Sequence, residues 1–148
     1  MSVRNELSGA FGPIDSTALT HIRTLFCETE PLVNETEFDD PIAPTVLHVH
    51  LTTGFGSSGR FDIRWSEYDY YSIHYTEPDL DWRFDRHPNP HSLEKHFHPP
   101  PNAPSKSAVR SCIEVERPEL VALAVSQCWR DALETDDPSI LNDADNPP

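Results

Sequence analysis

The stretch RFDRHPNPHSLEKHFHPPP, Arg83 to Pro101, holds four of the chain's eight histidines: His87, His91, His96 and His98. Histidine is the side chain that both gives and takes a proton near neutral pH. Cleaving RNA without a metal needs a base for the 2′-OH proton, an acid for the leaving oxygen, and a cation for the charge that builds on phosphorus. The spacing H-x3-H-x4-H-x-H, with Arg83, Arg86 and Lys95 interleaved, offers all three. Asp85 is placed to orient an imidazole and fix its tautomer. The prolines in this stretch deny it regular structure and lower the entropy lost in holding the rings together. The catalytic set read from the sequence is therefore His87, His91, His96, His98 and Asp85. Arg83, Arg86 and Lys95 are read as phosphate-binding, and Tyr75 as a residue that stacks on a base.

The distribution of charge supports an anion site here. The chain carries a net charge of −14, yet residues 86–110 hold Arg86, Lys95, Lys106 and Arg110 against Glu94 alone. A local positive island concentrates a phosphate-bearing ligand even where salt screens long-range attraction. Only two of the eleven basic residues are lysines, and this acid-rich, lysine-poor balance resembles that of proteins from salt-loving archaea.

Three other readings compete. Two to four imidazoles, with Asp85 or Glu94, could ligate zinc or nickel, although no HExxH motif occurs and no cysteine lies nearby. The acidic surface and the His/Pro loop could form a non-enzymatic module that binds a protein partner. The tyrosines and basic loop could bind nucleic acid without cutting it. No P-loop, Rossmann fingerprint, GxSxG or CxxC pair occurs, so no cofactor is expected. Cys27, Cys112 and Cys128 read as free thiols of a reducing cytoplasm. No apolar run approaches the ~18 residues of a membrane span.

The elements that must position these groups read as α+β. A helix is expected over "DSTALTHIRTLFCETEP", capped by Asp15 or Ser16, with Leu19, Ile22, Leu25 and Phe26 on one face. The acidic "VNETEFDDPIAP" reads as a connector. Four segments then alternate with period two and give four strands with one apolar face each. Leu47, Val49 and Leu51 oppose His48 and His50; Phe61, Ile63 and Trp65 oppose Arg60, Asp62 and Arg64. Tyr71, Ile73 and Tyr75 oppose Ser72 and His74; Leu80, Trp82 and Phe84 oppose Asp81, Arg83 and Asp85. His48, His50 and His74 would line one groove if that face is open, and otherwise serve structure. Residues 86–110 read as a long His/Pro loop, "SCIEV" as a fifth strand, and "RPELVALAVSQCWRDALE" as a second helix opened by Pro118. The expected fold is an antiparallel sheet of four to five strands with an N-terminal and a C-terminal helix packed on it. It forms one domain over 14–134, between a flexible arm at 1–13 and a disordered acidic tail at 135–148.

The order of these features resembles the TumE-like toxins of prokaryotic toxin–antitoxin pairs. The tyrosine-rich "YYSIHY" is followed by the aromatic–Asp strand end "WRFD", the His/Pro loop "RHPNPHSLEKHFHPP" and a C-terminal helix. Phe84-Asp85 stands where that family tends to have Tyr-Asp, His87 where its first loop histidine lies, and His96 and His98 match a later His-x-His-like pair. The likeness covers residues 60–134, with Arg86 replacing an amide. It implies a growth-arresting toxin neutralised by a helix-turn-helix antitoxin. The ribonuclease assignment comes from the histidines and charge. A homodimer is compatible with this reading.

Overall fold

The structure, a computed structural model, describes residues 11–87 and 94–144. Among these, two α-helices flank one seven-stranded antiparallel sheet. The elements run α1 (Ser16–Thr29), β1 (Val33–Phe38), β2 (Leu47–Leu51), β3 (Arg60–Trp65), β4 (Tyr71–Glu77), β5 (Leu80–Arg86), β6 (Lys95–His98), β7 (Val109–Arg110) and α2 (Pro118–Thr135). Spatial order follows chain order, so the sheet is an uninterrupted meander.

The helices end where their local chemistry dictates. Asp15 caps α1 by accepting the Ala18 N–H at 3.0 Å, satisfying one of the orphan donors of the first turn. Its buried residues, Ala18, Leu19, Ile22 and Phe26, form one stripe. α2 begins at Pro118, where a missing N–H costs nothing, and ends at Asp136 in the left-handed conformation.

Alternation along each central strand sends one set of side chains to the helices and the other to the opposite face. The helix-facing set is aromatic and dry. Tyr75 stacks on Trp82 with ring centroids 4.9 Å apart, Trp65 on Tyr71 at 4.8 Å, and Trp129 of α2 meets Phe61 edge-on at 5.9 Å. Each such side chain, fully buried, contributes roughly 1.5–3 kcal/mol. Both α1 and α2 lie on this side, so among the described residues the other face of the sheet is free of these two helices.

The sheet has seven strands rather than four to five. β1 lies within the acidic segment read as a connector; it is an edge strand, half-buried, and its Glu35 and Glu37 point to water. β6 and β7 lie within the segment read as an unbroken loop. Prolines 99 to 101 stand just past β6 and remove no ladder bond from it. The "SCIEV" segment is not a strand: Ser111 and Ile113 are buried, and the Cys112 N–H bonds the Asn142 side chain at 2.7 Å. That bond belongs to a packed C-terminal segment. Leu141 is fully buried, so order extends past 134 to the last described residues. No helix among the described residues is long and apolar enough to cross a membrane.

Candidate functional site

The tripeptide Arg-Phe-Asp occurs twice, at 60–62 on β3 and at 83–85 on β5. In both copies the phenylalanine enters the core and the flanking Arg and Asp turn to the helix-free face. Two residues apart on an extended strand, they lie on the same side and bond each other. Arg60 Nε donates to Asp62 at 2.8 Å, and Arg83 Nε donates to Asp85 at 2.8 Å.

The register brings further groups beside them. Directly paired residues across β2 to β6 run His48, Asp62, His74, Arg83, His98. The adjacent row runs Arg64, Ser72, Asp85, His96, Arg110. The helix-free face is thus a grid of imidazoles, carboxylates and guanidiniums. A cleft of about 460 Å³ opens on it, lined by His48, Asp62, Arg64, Ser72, His74, Arg83, Asp85 and His87, with Phe11 and Val46 forming an apolar wall.

Asp85 is the fixed charge of this face. Its side chain is 5% exposed; besides Arg83 it has His98 Nε2 at 3.1 Å and His87 Nε2 at 3.9 Å. Burial alone would raise its pKa, but the close imidazole of His98 and the charges of Arg83 and His87 outweigh that and hold the carboxyl below the usual carboxylate range. The His98 approach is close but poorly aligned for a hydrogen bond, so its attraction is mainly electrostatic. The other carboxylate oxygen, Oδ1, is buried and has no hydrogen-bond partner.

Three rings surround this charge. His87 and His96 have centroids 5.3 Å apart, and His96 and His98 6.2 Å. His96 and His98 are buried, and the Nδ1 of His98 lies 3.4 Å from the Pro104 carbonyl. Burial, followed by the neighbouring His87 and His98, lowers the pKa of His96 despite Asp85, which keeps that ring neutral at pH 7. His87 alone of the three borders the cleft, with its side chain 32% exposed.

The sequence-predicted residues divide by face. Asp85, His87, His96, His98 and Arg83 come together. His91 lies outside the described residues. Arg86 pairs with Tyr71 and Lys95 in the register, which puts both cations on the helix side of the sheet. Arg86 there donates to Glu94 at 3.0 Å and to the Asp69 carbonyl, and Lys95 donates to the Glu114 carbonyl at 3.1 Å. Tyr75 is fully buried in the core, its hydroxyl bonded to Glu77, which also accepts the N–H groups of Phe55, Gly56 and Ser57. These three cannot meet a ligand on the histidine face. Three further pairs belong to that face: His48 Nδ1 with Asp62 Oδ1 at 2.6 Å, His50 Nε2 with Glu37 Oε1 at 2.9 Å, and His74 Nε2 with Asp81 Oδ1 at 3.0 Å. Their signal was the strand alternation, and only the opposing strands' register supplied their partners. Among the described residues no group of three or more His, Cys, Asp or Glu side chains is arranged to hold a metal.

No curated protein and no solved structure matches this chain. A family model described as Toxin TumE matches residues 22–135, a span that contains every strand of the sheet. The chain belongs to the TumE toxin family.

Proposed function

We propose that this toxin is a metal-independent endoribonuclease whose active site is the helix-free face around Asp85 and His87. The observation that carries the reading is one cleft bringing three imidazoles, His48, His74 and His87, together with the guanidiniums of Arg64 and Arg83. His87 borders the cleft beside an ionised carboxylate that orients it, and serves as base for the 2′-OH proton. His74 on β4, which lines the same cleft, returns a proton to the departing 5′-oxygen. Arg83 stabilises the charge gathering on phosphorus. The 2′-oxygen bonds to phosphorus, the 5′-oxygen leaves, and the product ends in a 2′,3′-cyclic phosphate. His96 and His98, being buried, act as positioning residues that hold Asp85 and the His87 ring.

The family implies an antitoxin partner in general. We take it to be a helix-turn-helix protein in a type II pair, acting with the toxin in the cytoplasm. The acidic, lysine-poor composition supports a saline interior; molar KCl should then raise the unfolding temperature of the purified chain. Incubating the protein with an unstructured RNA in the presence of EDTA tests the enzymatic reading. Fragments ending in 2′,3′-cyclic phosphate are expected. Intact RNA in EDTA, with binding retained, would replace cleavage by simple RNA binding.

A further inference from the structure

We infer that Arg64 and Ser72 form a phosphate subsite that holds a phosphodiester neighbouring the one at His87, a reading that rests on the RNA-cleaving site proposed above. Both carboxylates lining the cleft already face cationic or imidazole groups. Asp62 takes Arg60 on both oxygens and His48 on one; Asp85 is held by Arg83, with His98 beside it. Arg83 is correspondingly engaged. Arg64 is exposed, lines the same cleft, and makes no ion pair or hydrogen bond among the described residues. In a chain with a net charge of −14, Arg64 is thus a cation left unpaired between two Asp-bearing positions of one face.

Its surroundings explain what it would take. Ser72 is its direct register partner, and Asp85 is the partner of Ser72 on the next strand. The Ser72 hydroxyl also has no partner among the described residues. A forked donor and a hydroxyl donor thus sit side by side, one strand spacing of about 4.8 Å apart. A tetrahedral anion accepts from both. A neutral ligand would leave the guanidinium uncompensated. From this subsite to Asp85 is one further strand spacing, so a phosphate held here is adjacent in the strand to the group at His87. Phe11 and Val46 supply an apolar wall where the intervening base can lie. The subsite therefore selects single-stranded RNA that carries at least two phosphates.

A fluorescent 2′-O-methyl RNA oligonucleotide, which cannot be cut through a 2′-hydroxyl, separates binding from cleavage. Its affinity for the full chain is read by anisotropy over a series of KCl concentrations. Arg64→Ala should weaken binding about tenfold and make the salt dependence shallower by about one ion. Arg64→Lys should restore much of the affinity, and Ser72→Ala should cost about threefold. Arg117→Ala, an exposed cation at the start of α2, should change nothing. If Arg64→Ala matches wild type in affinity and salt slope, the subsite is wrong even if unmodified RNA is still cleaved. If it shows the expected loss while wild type leaves unmodified RNA intact, the subsite stands and cleavage falls. An oligonucleotide that wild type does not bind overturns the subsite outright.

Discussion

The two Arg-Phe-Asp copies are the same tripeptide in two settings. At 60–62 the Asp62 side chain is 22% exposed, and its partners Arg60 and His48 also reach solvent. At 83–85 the Asp85 side chain is 5% exposed, and His98 beside it is nearly as buried. The local wiring is alike, an Arg two residues back and an imidazole from a neighbouring strand. What differs is the neighbour. β3 lies beside β2, whose outward residues are open to water. β5 lies beside β6, which contributes two covered histidines. An ion pair in contact with water is screened and contributes little, whereas the same charge in a drier setting is strongly coupled to whatever surrounds it. One sequence unit thus yields a surface ion pair on β3 and a held, reactive-looking charge on β5.

The largest test of that contrast is to neutralise each carboxylate in turn. Asp85→Asn strands the Arg83 guanidinium and should cost about 3–5 kcal/mol of unfolding free energy. Asp62→Asn should cost at most about 1 kcal/mol. Urea unfolding of both variants measures the difference, and equal losses would erase the distinction between the two copies.

The acid limb of stability sharpens it. The Asp85 pKa is depressed in the folded chain, so its contribution is complete above the unfolded value of about 3.8 and is lost as pH falls through the lower folded value. Asp62 shifts in the same direction, through Arg60 and His48 working against burial. Asp85→Asn and Asp62→Asn should therefore each flatten the stability profile below pH 4.

A smaller effect belongs to His96. Its folded pKa lies below the ordinary 6.5, so the unfolded chain takes up this proton first. Stability should decline as pH drops from about 6.5 toward the folded value, and His96→Gln should remove that slope. An unchanged slope, followed by thermal unfolding between pH 5 and 7.5, would mean that the ring is not held neutral.

Much of this arrangement was legible before any coordinates. Strict alternation marks β2 to β5, and the same alternation already puts Arg86 on the side of Phe84 and Tyr75 on the side of Ile73. That pattern separates both from the histidine face, and it is the pattern the fold follows. β1 and β6 were hidden for different reasons. An edge strand buries too little to need an apolar stripe, and β6 is four residues long between proline-rich flanks. The clustering of His87, His96 and His98 around Asp85 rests on the β5–β6 pairing. Sequence spacing carries the residues of that hairpin but not the register that closes it. The repeated Arg-Phe-Asp was visible too, yet nothing in either tripeptide alone says which copy is buried.

The claim that matters most is that the toxin acts through the helix-free face. Growth arrest should be measured on induction of wild type, of Arg83→Ala/His87→Ala on that face, and of Lys95→Ala on the helix side, with thermal unfolding confirming that each folds. The account predicts that the Arg83/His87 variant loses arrest and leaves cellular RNA intact, while Lys95→Ala arrests growth like wild type. Full arrest by the Arg83/His87 variant, with arrest lost on changing Lys95, would place the activity on the other side of the sheet and contradict it.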